Sequence, residues 1–466
     1  MPNTTEKPVT IVPRQLGMWD VASITAGIII GAAIYESVPR IASNVSGPTS
    51  LMLMWLAGGV IALIGALCYA ELSSAYPHQG GTYVFLNRAF GGWAGFLYAW
   101  SEFWIVRPGN IGAMAFIFAK YFSQAIGATA LGSTASQLLL AAAAVVLIGG
   151  INLFGIRMGK GTQNVLTVVK IAGLVAIFVV GMWPTAAVEA GASAQVASDV
   201  SEVAGEPAQL DWTLALVFIL FAYGGWNETA AVAAEVHDPQ RNMLRGLLLG
   251  TSVVVVTYFG VNLALLRTLG FAGIAQGDTV VATAVARILG PWGARAISVS
   301  ICLSCLGAIN GMLFTGARLY YALGVQEPAF AWLGKWHDAL GTPTRALALQ
   351  TVVALVLVAV FGSTGEGFDP VVMFTVPVFW SFLLLVSVAV IVLRLRDRET
   401  PRPFRLPFFP LEPVIFFLTS ALMIYRGVDW LLDPYHKHDG IYWFSAAATV
   451  LSLVSGAIIY LLTRRR

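Results

Sequence analysis

The chain has 466 residues, of which 58% are hydrophobic and only 11% charged, with a net charge of +3 and a mean hydropathy of +0.77. Soluble globular chains carry about a quarter charged residues, so this composition excludes a soluble domain and points to an all-α polytopic membrane protein. The small net charge gives no basis for a nucleic-acid partner.

The first sixteen residues are polar and contain Pro2, Pro8 and Pro13. They lack a basic stretch leading into a short apolar core with a cleavage site. Residues 1–16 are read as a cytoplasmic segment, and the first hydrophobic span as the insertion signal. Beyond it, twelve segments approach the roughly 20 apolar residues that a crossing needs. They lie near 17–42, 50–76, 91–120, 135–153, 162–183, 211–235, 241–266, 293–323, 343–361, 369–393, 411–428 and 441–463. They are numbered here as spans 1 to 12.

With the N-terminus inside, the inner connections carry Arg88, Arg157, Lys160, Arg241, Arg245, Lys335 and Arg345, then a cluster from Arg394 to Arg405 and the Arg464–Arg466 tail. The longest outer loop, 184–210, has no Lys or Arg but holds Glu189, Asp199, Glu202 and Glu206. That asymmetry follows the positive-inside rule. It places a multi-pass protein in the cell membrane with both termini cytoplasmic. Between spans 2 and 3, Tyr83, Phe85, Leu86 and Phe90 suggest a short helix in the inner interface.

Chemistry-bearing motifs are few. Cys302 and Cys305 have C-x-x-C spacing but lie in an apolar span beside Ser304 and Gly307, as Cys68 lies in another, and all three are read as packing residues. The five histidines are scattered without metal-ligand spacing. "GIRMGKGT" at 155–162 is one residue short of a phosphate loop, and Gly161 stands where Ser or Thr is required. No metal, cofactor or ATP-driven step is expected. An embedded enzyme would need convergent acid, base or nucleophile groups, and the buried ionisable residues are spread over several spans.

The informative stretch is "LFAYGGWNETAAVAAEVHDPQRN", 220–242. Gly224–Gly225 followed by Asn227 and Glu228 interrupts an apolar helix with helix-breaking and polar residues. Span 1, "ITAGIIIGAAIYESVPRIA", weakens likewise at Gly31–Ala32–Ala33. The two weak points are five spans apart, an odd number, so the two five-span units are expected to be inverted repeats with broken helices 1 and 6. The alternative is that the glycines only allow close helix packing, since Gly27/Gly31 and Gly246/Gly250 have G-x-x-x-G spacing. Such paired breaks mark a transporter's midplane site. Breaking a helix frees amide donors at one new end and carbonyl acceptors at the other, with matching partial charges. A free α-amino acid, with its carboxylate and ammonium, complements both.

The segments "GIIIGAAIY", "CYAELSSAYPHQGGTYVFL", "WSEFWIVRP", "TQNVLTVVK", "FAYGGWNE", "DPQRN" and "GAINGMLFTGARLYY" resemble successive signatures of the L-type amino acid transporter family of the amino acid–polyamine–organocation superfamily. The resemblance covers nearly the whole chain. It implies a ten-span inverted-repeat core, here 17–393, followed by two further spans and a tail at 394–466, with alternating access and no ATP. It also implies that the substrate carboxylate meets amides at Gly31, Ala32 and Ala33. The ammonium would meet carbonyls of Ile29, Phe221 and Gly224. Phe221 would close the pocket toward the outside, and Tyr223 and Asn227 would shape it. Ala33 stands where many relatives carry Gly, which implies a gentler kink or fewer carboxylate contacts.

Lys170 lies about nine residues into span 5 among apolar neighbours, too deep for easy snorkelling. In the family's pattern its ammonium takes the place of a sodium ion, reaching a span 1 carbonyl near Gly27, with Ser298, Ser300 and Ser304 of span 8 as available hydroxyls. Glu36 and Arg40, four apart, share a helix face and are read as a structural pair in the outer vestibule, the alternative being that Glu36 selects cationic side chains. Arg107 is read as structural, with Glu102 a poor partner at about 140° round an α-helix. Glu228, just after the span 6 break, is either a proton site or a cap that sets its negative charge at the N-terminus of the inner half-helix, and capping is the favoured reading. The family's eukaryotic members join a heavy chain through a cysteine in the loop after span 3. Residues 121–136 contain none, so a stand-alone carrier without a disulfide-linked heavy chain is expected, with a monomer as one reading of its oligomeric state. The reading is a sodium-independent exchanger or uniporter of neutral L-amino acids. The alternative is a proton-coupled amino acid carrier, or a carrier of cationic amino acids or polyamines.

Overall fold

The computed structural model of the protein describes residues 14–127, 132–183, 210–277, 279–362, 368–432 and 440–464. The acidic loop at 184–209 and the residues before 14 lie outside them. Among the described residues there is no β-strand, and helices occupy each of the twelve expected segments. Nine are long and apolar enough to cross a membrane, ten when the bent pair Met18–Ile29 and Ala33–Ala42 is taken as one span. Span 3 runs from Gly92 to Ile126 but is divided by a π-helical turn at Glu102–Val106. Span 12 is the helix Gly440–Arg464, whose shorter apolar part is Thr449–Thr463.

Spans 1 and 6 lie at the centre. Span 1 packs on spans 5, 7 and 8, and the second part of span 6 touches spans 1, 2, 7 and 8. Close packing there depends on small residues. A Cβ on Gly250 would meet Thr25 Cβ at 2.7 Å, so span 7 lies directly against span 1. The most apolar helix, Trp212–Ala222, begins span 6 and is capped by Asp211, whose Oδ1 accepts from the Thr213 and Leu214 amides at 3.0 Å.

The short helix between spans 2 and 3 is Thr82–Phe90. Its apolar face is not presented to lipid as expected, because Tyr83, Phe85 and Leu86 are buried in the bundle. Gly81 allows this: its φ is +46°, and a Cβ would stand 2.5 Å from the Ala230 backbone. Asn87 and Tyr83 bond Gln326 of span 8, and Arg88 pairs with Asp397 after span 10.

Candidate functional site

The two breaks face each other. In span 1 the α-helix ends at Ile29, Ile30 takes a non-helical φ/ψ of −71°/71°, and a second helix starts at Ala33 after a 49° bend. No residue of Gly31–Ala32–Ala33 has positive φ, so Ala33 is accommodated and the kink is made without left-handed backbone. In span 6 the chain turns at Gly225, φ +117°, and then runs as a 3-10 helix over Trp226–Glu235. Ten residues is far longer than the usual 3-10 run. A side chain at Gly225 would strike Ile28 Cγ2 at 2.7 Å, so this glycine both turns the chain and admits span 1.

Between the breaks lies a cavity of about 70 Å³, enough space for several water molecules. Ile29, Gly31, Ala33, Phe221, Gly224 and Asn227 line it, as does Glu228. Sequence reasoning missed the walls supplied by Asn110 and Met114 of span 3, Met312 of span 8, and Thr375, Phe379 and Trp380 of span 10. Those residues share no motif with the breaks, and only the tertiary fold brings them there.

The Ala32 amide, at the start of the second half of span 1, donates to Met114 Sδ at 3.4 Å. A thioether is a weak acceptor, so this helix N-terminus holds a poorly satisfied donor beside the cavity. Among the described residues, the buried Oδ1 atoms of Asn110 and Asn227 have no hydrogen-bond partner. Polar capacity is therefore stored at the cavity wall.

The other expected site residues make bonds within the protein itself. The Ile29 carbonyl already accepts from the Gly31 amide at 2.7 Å and the Tyr258 hydroxyl at 2.9 Å, which occupies both of its lone pairs. Tyr223 turns away from the cavity: its hydroxyl donates to the Trp55 carbonyl and its ring meets Trp55 edge-on. Ser304 bonds the carbonyls of Ile30 and Gly31 at 3.2 and 3.3 Å rather than Lys170. The Lys170 ammonium, fully buried, donates to the Gly27 carbonyl at 2.5 Å.

Glu228 stands in the first turn of the second half of span 6, where its charge suits the helix end, but its carboxylate is spent on spans 3 and 8. Its Oε2 meets Arg107 and accepts from the Thr315 hydroxyl at 3.1 Å. Glu102 is a partner of Arg107 after all, with Oε2 at 3.0 Å from Nη2. The reason is the π turn, in which the Arg107 amide bonds the Glu102 carbonyl, so residues five apart stand one above the other. Glu36 pairs with Arg40, as expected, and also accepts from Lys120 at 3.1 and 3.3 Å.

On the face that carries Gln15 the N-terminal segment is tied to spans 6 and 8. The Gln15 and Leu16 amides donate to the Glu235 carbonyl, the Glu235 carboxylate takes two bonds from Arg318 at 2.9 and 3.2 Å, and Lys160 pairs with Asp20 at 2.7 Å.

Two interrupted helices that meet at a buried cavity inside a bundle of membrane-length helices define a membrane transporter rather than an enzyme. The sequence model of the family described as amino acid permease matches residues 16–429, and the chain belongs to that family. It is similar to the serine/threonine exchanger SteT of Bacillus subtilis, 27% identical over 420 residues, 88% of this chain and 91% of that protein. It is also similar to the human large neutral amino acids transporter small subunit 2, 29% identical over 475 residues, covering 95% and 84% of the two chains. The mouse b(0,+)-type amino acid transporter 1 is 26% identical over 462 residues, covering 99% and 90%.

Proposed function

We propose that the protein exchanges neutral L-amino acids across the cell membrane without sodium, by alternating access, as a stand-alone carrier with both termini cytoplasmic. The observation that carries the reading is the Ala32 amide at a helix N-terminus beside the cavity, spent on a thioether sulfur. A carboxylate is the better ligand for such an end and displaces Met114 from it. The substrate's ammonium then falls to the Gly224 carbonyl and Asn227 Oδ1, since the Ile29 carbonyl is taken and the Phe221 carbonyl already accepts from the Tyr223 and Gly224 amides. Phe221, which lines the cavity, acts as the outer gate. The resident ammonium of Lys170 on the Gly27 carbonyl supplies the positive charge that a sodium ion would bring. The relatives' printed names, an exchanger of serine and threonine and a transporter of large neutral amino acids, support the substrate class.

The test is uptake of labelled L-amino acids into proteoliposomes in sodium-free buffer, with empty vesicles and with vesicles preloaded with unlabelled amino acid. Exchange predicts uptake mainly into preloaded vesicles, with Asn227→Ala raising KM. A requirement for imposed sodium overturns the reading.

A further inference from the structure

Three ionisable side chains, Glu102, Arg107 and Glu228, form a cluster that the exchange of a neutral zwitterion does not use. All three are buried, at 1%, 2% and 8% exposure. Both carboxylates direct an Oε2 at the same guanidinium nitrogen, Arg107 Nη2. The opposite face of the guanidinium is committed to span 8, where Nη1 donates to the Met312 carbonyl and the Thr315 hydroxyl at 3.1 Å each. Gly316 makes room for it, since a Cβ there would lie 2.4 Å from Arg107 Cδ.

The charges do not balance. Two carboxylates and one guanidinium leave one negative charge in excess. The other titratable groups facing the cluster are phenols: Tyr69 of span 2, Tyr98 of span 3 and Tyr320 of span 8. The next buried cation along span 8, Arg318, is committed to Glu235. Among the described residues, no second cation contacts either carboxylate. An uncompensated charge on groups this deeply buried is costly, and two carboxylates sharing one site do not both ionise readily. The smallest occupant that removes the excess is a proton, and Glu228 lines the substrate cavity, so the proton has the same route as the substrate.

We propose that Glu102 and Glu228 share one exchangeable proton, and that the cavity accepts its amino acid when that proton is bound. The proton passes from cavity water to a carboxylate oxygen and takes the cluster from one net negative charge to none. The α-carboxylate of the substrate then enters without facing a like charge, and transport rises as pH falls. This rests on the amino acid exchange proposed above, and it adds a proton dependence that exchange of a zwitterion does not require.

Two measurements test it. The first is infrared spectroscopy of the purified protein in lipid, reading the C=O stretch of protonated buried carboxyls as pH is varied. Glu36, Glu71 and Glu235 each have their own cations, so the band is read as the difference between the parent and E102Q or E228Q. The expected result is a protonated-carboxyl band in the parent that is lost in both variants. The second is exchange at equal pH on both sides of the vesicle, from acidic to alkaline. The parent is expected to slow about tenfold per pH unit beyond its titration point, the slope of a single proton. In E228Q, which mimics the protonated acid, the rate is expected to be independent of pH.

A flat pH profile with no difference band overturns the inference while leaving the exchange reading intact. Transport of cationic amino acids alone, lost in E228Q and without the band, overturns it in favour of a substrate side chain as the balancing charge. If no amino acid moves at any pH, the exchange reading fails, and the infrared band still decides the shared proton. Should E228Q fail to fold, E102Q carries the same expectation from the other carboxylate.

Discussion

Lys170 Nζ lies 2.5 Å from the carbonyl oxygen of Gly27, tying the middle of span 5 to the last turn before the break in span 1. Across from it, Gly307 of span 8 leaves the space the side chain fills: a Cβ there would sit 2.4 Å from Lys170 Cε and 2.7 Å from Nζ. The ammonium is thus held between two glycines on different spans. A charged hydrogen bond of this kind contributes about 1.5–3 kcal/mol. Lys170→Ala is expected to slow sodium-free exchange by about tenfold or more, as that range implies. Gly307→Ala keeps the charge but displaces it from Gly27, and is expected to fall between the parent and Lys170→Ala. Initial rates in proteoliposomes check both. Lys170→Ala at the parent rate would remove the ammonium from the mechanism.

The two breaks respond differently to an exchange of Gly and Ala. Gly225 has φ +117° and no space for a Cβ beside Ile28, so Gly225→Ala is expected to cost about 1–3 kcal/mol in backbone strain and to abolish transport. At Ala33 the backbone is helical, and Ala33→Gly is expected to lower stability by about 0.5–1 kcal/mol, the usual entropic penalty of Gly in a helix. Thermal unfolding in detergent separates the two. An Ala33→Gly protein more stable than the parent would show that the span 1 kink is strained.

How far the site could be read from the sequence depends on which physical rule each part obeys. Both breaks are legible because Gly224–Gly225 and Gly31 interrupt otherwise continuous apolar periodicity. The depth of Lys170 is legible from its apolar neighbours alone. The Glu102–Arg107 pair is not, because five residues on a 3.6-residue helix point apart, and nothing in "EFWIV" announces the π turn that brings them together. Tyr223 is misplaced for a related reason. Next to a break, helical phase no longer predicts direction, and its ring turns to Trp55 and Tyr258. The cavity walls from spans 3 and 10 are tertiary features, and their residues look like ordinary span residues.

Arg107 is the keystone of the buried charges, bonding Glu102, Glu228, Thr315 and the Met312 carbonyl at once. Removing one member of a buried ion pair typically costs about 3–5 kcal/mol. Arg107→Met is expected to lose that much stability or fail to accumulate. Arg107→Lys keeps the charge but cannot reach all these acceptors from one point, so partial recovery is expected. Combining Arg107→Met with Glu102→Gln and Glu228→Gln removes both stranded carboxylates and is expected to be more stable than Arg107→Met alone. If the triple variant is no better, the cost lies in packing rather than charge. Fluorescence-detected size exclusion after a heating series ranks the variants.

Outside the spans, Asp397 ties the end of span 10 to the short helix after span 2. The Arg88 guanidinium, at 2.6 Å, holds its carboxyl below the usual carboxylate range, and the Tyr76 hydroxyl at 3.1 Å adds to the effect. A carboxyl depressed in the folded state stabilises fully above its unfolded value, near 4. That contribution is lost as pH falls through the depressed folded value. Asp397→Asn is therefore expected to melt slightly below the parent at neutral pH, by an amount matching a partly exposed ion pair of about 0.2–1 kcal/mol. The gap should close progressively in acid, and it should also shrink in high salt, which screens the exposed Arg88 side. Melting curves of parent and variant across pH and ionic strength read both trends. A gap that persists unchanged in acid would assign the effect to the Tyr76 hydrogen bond rather than to the ion pair.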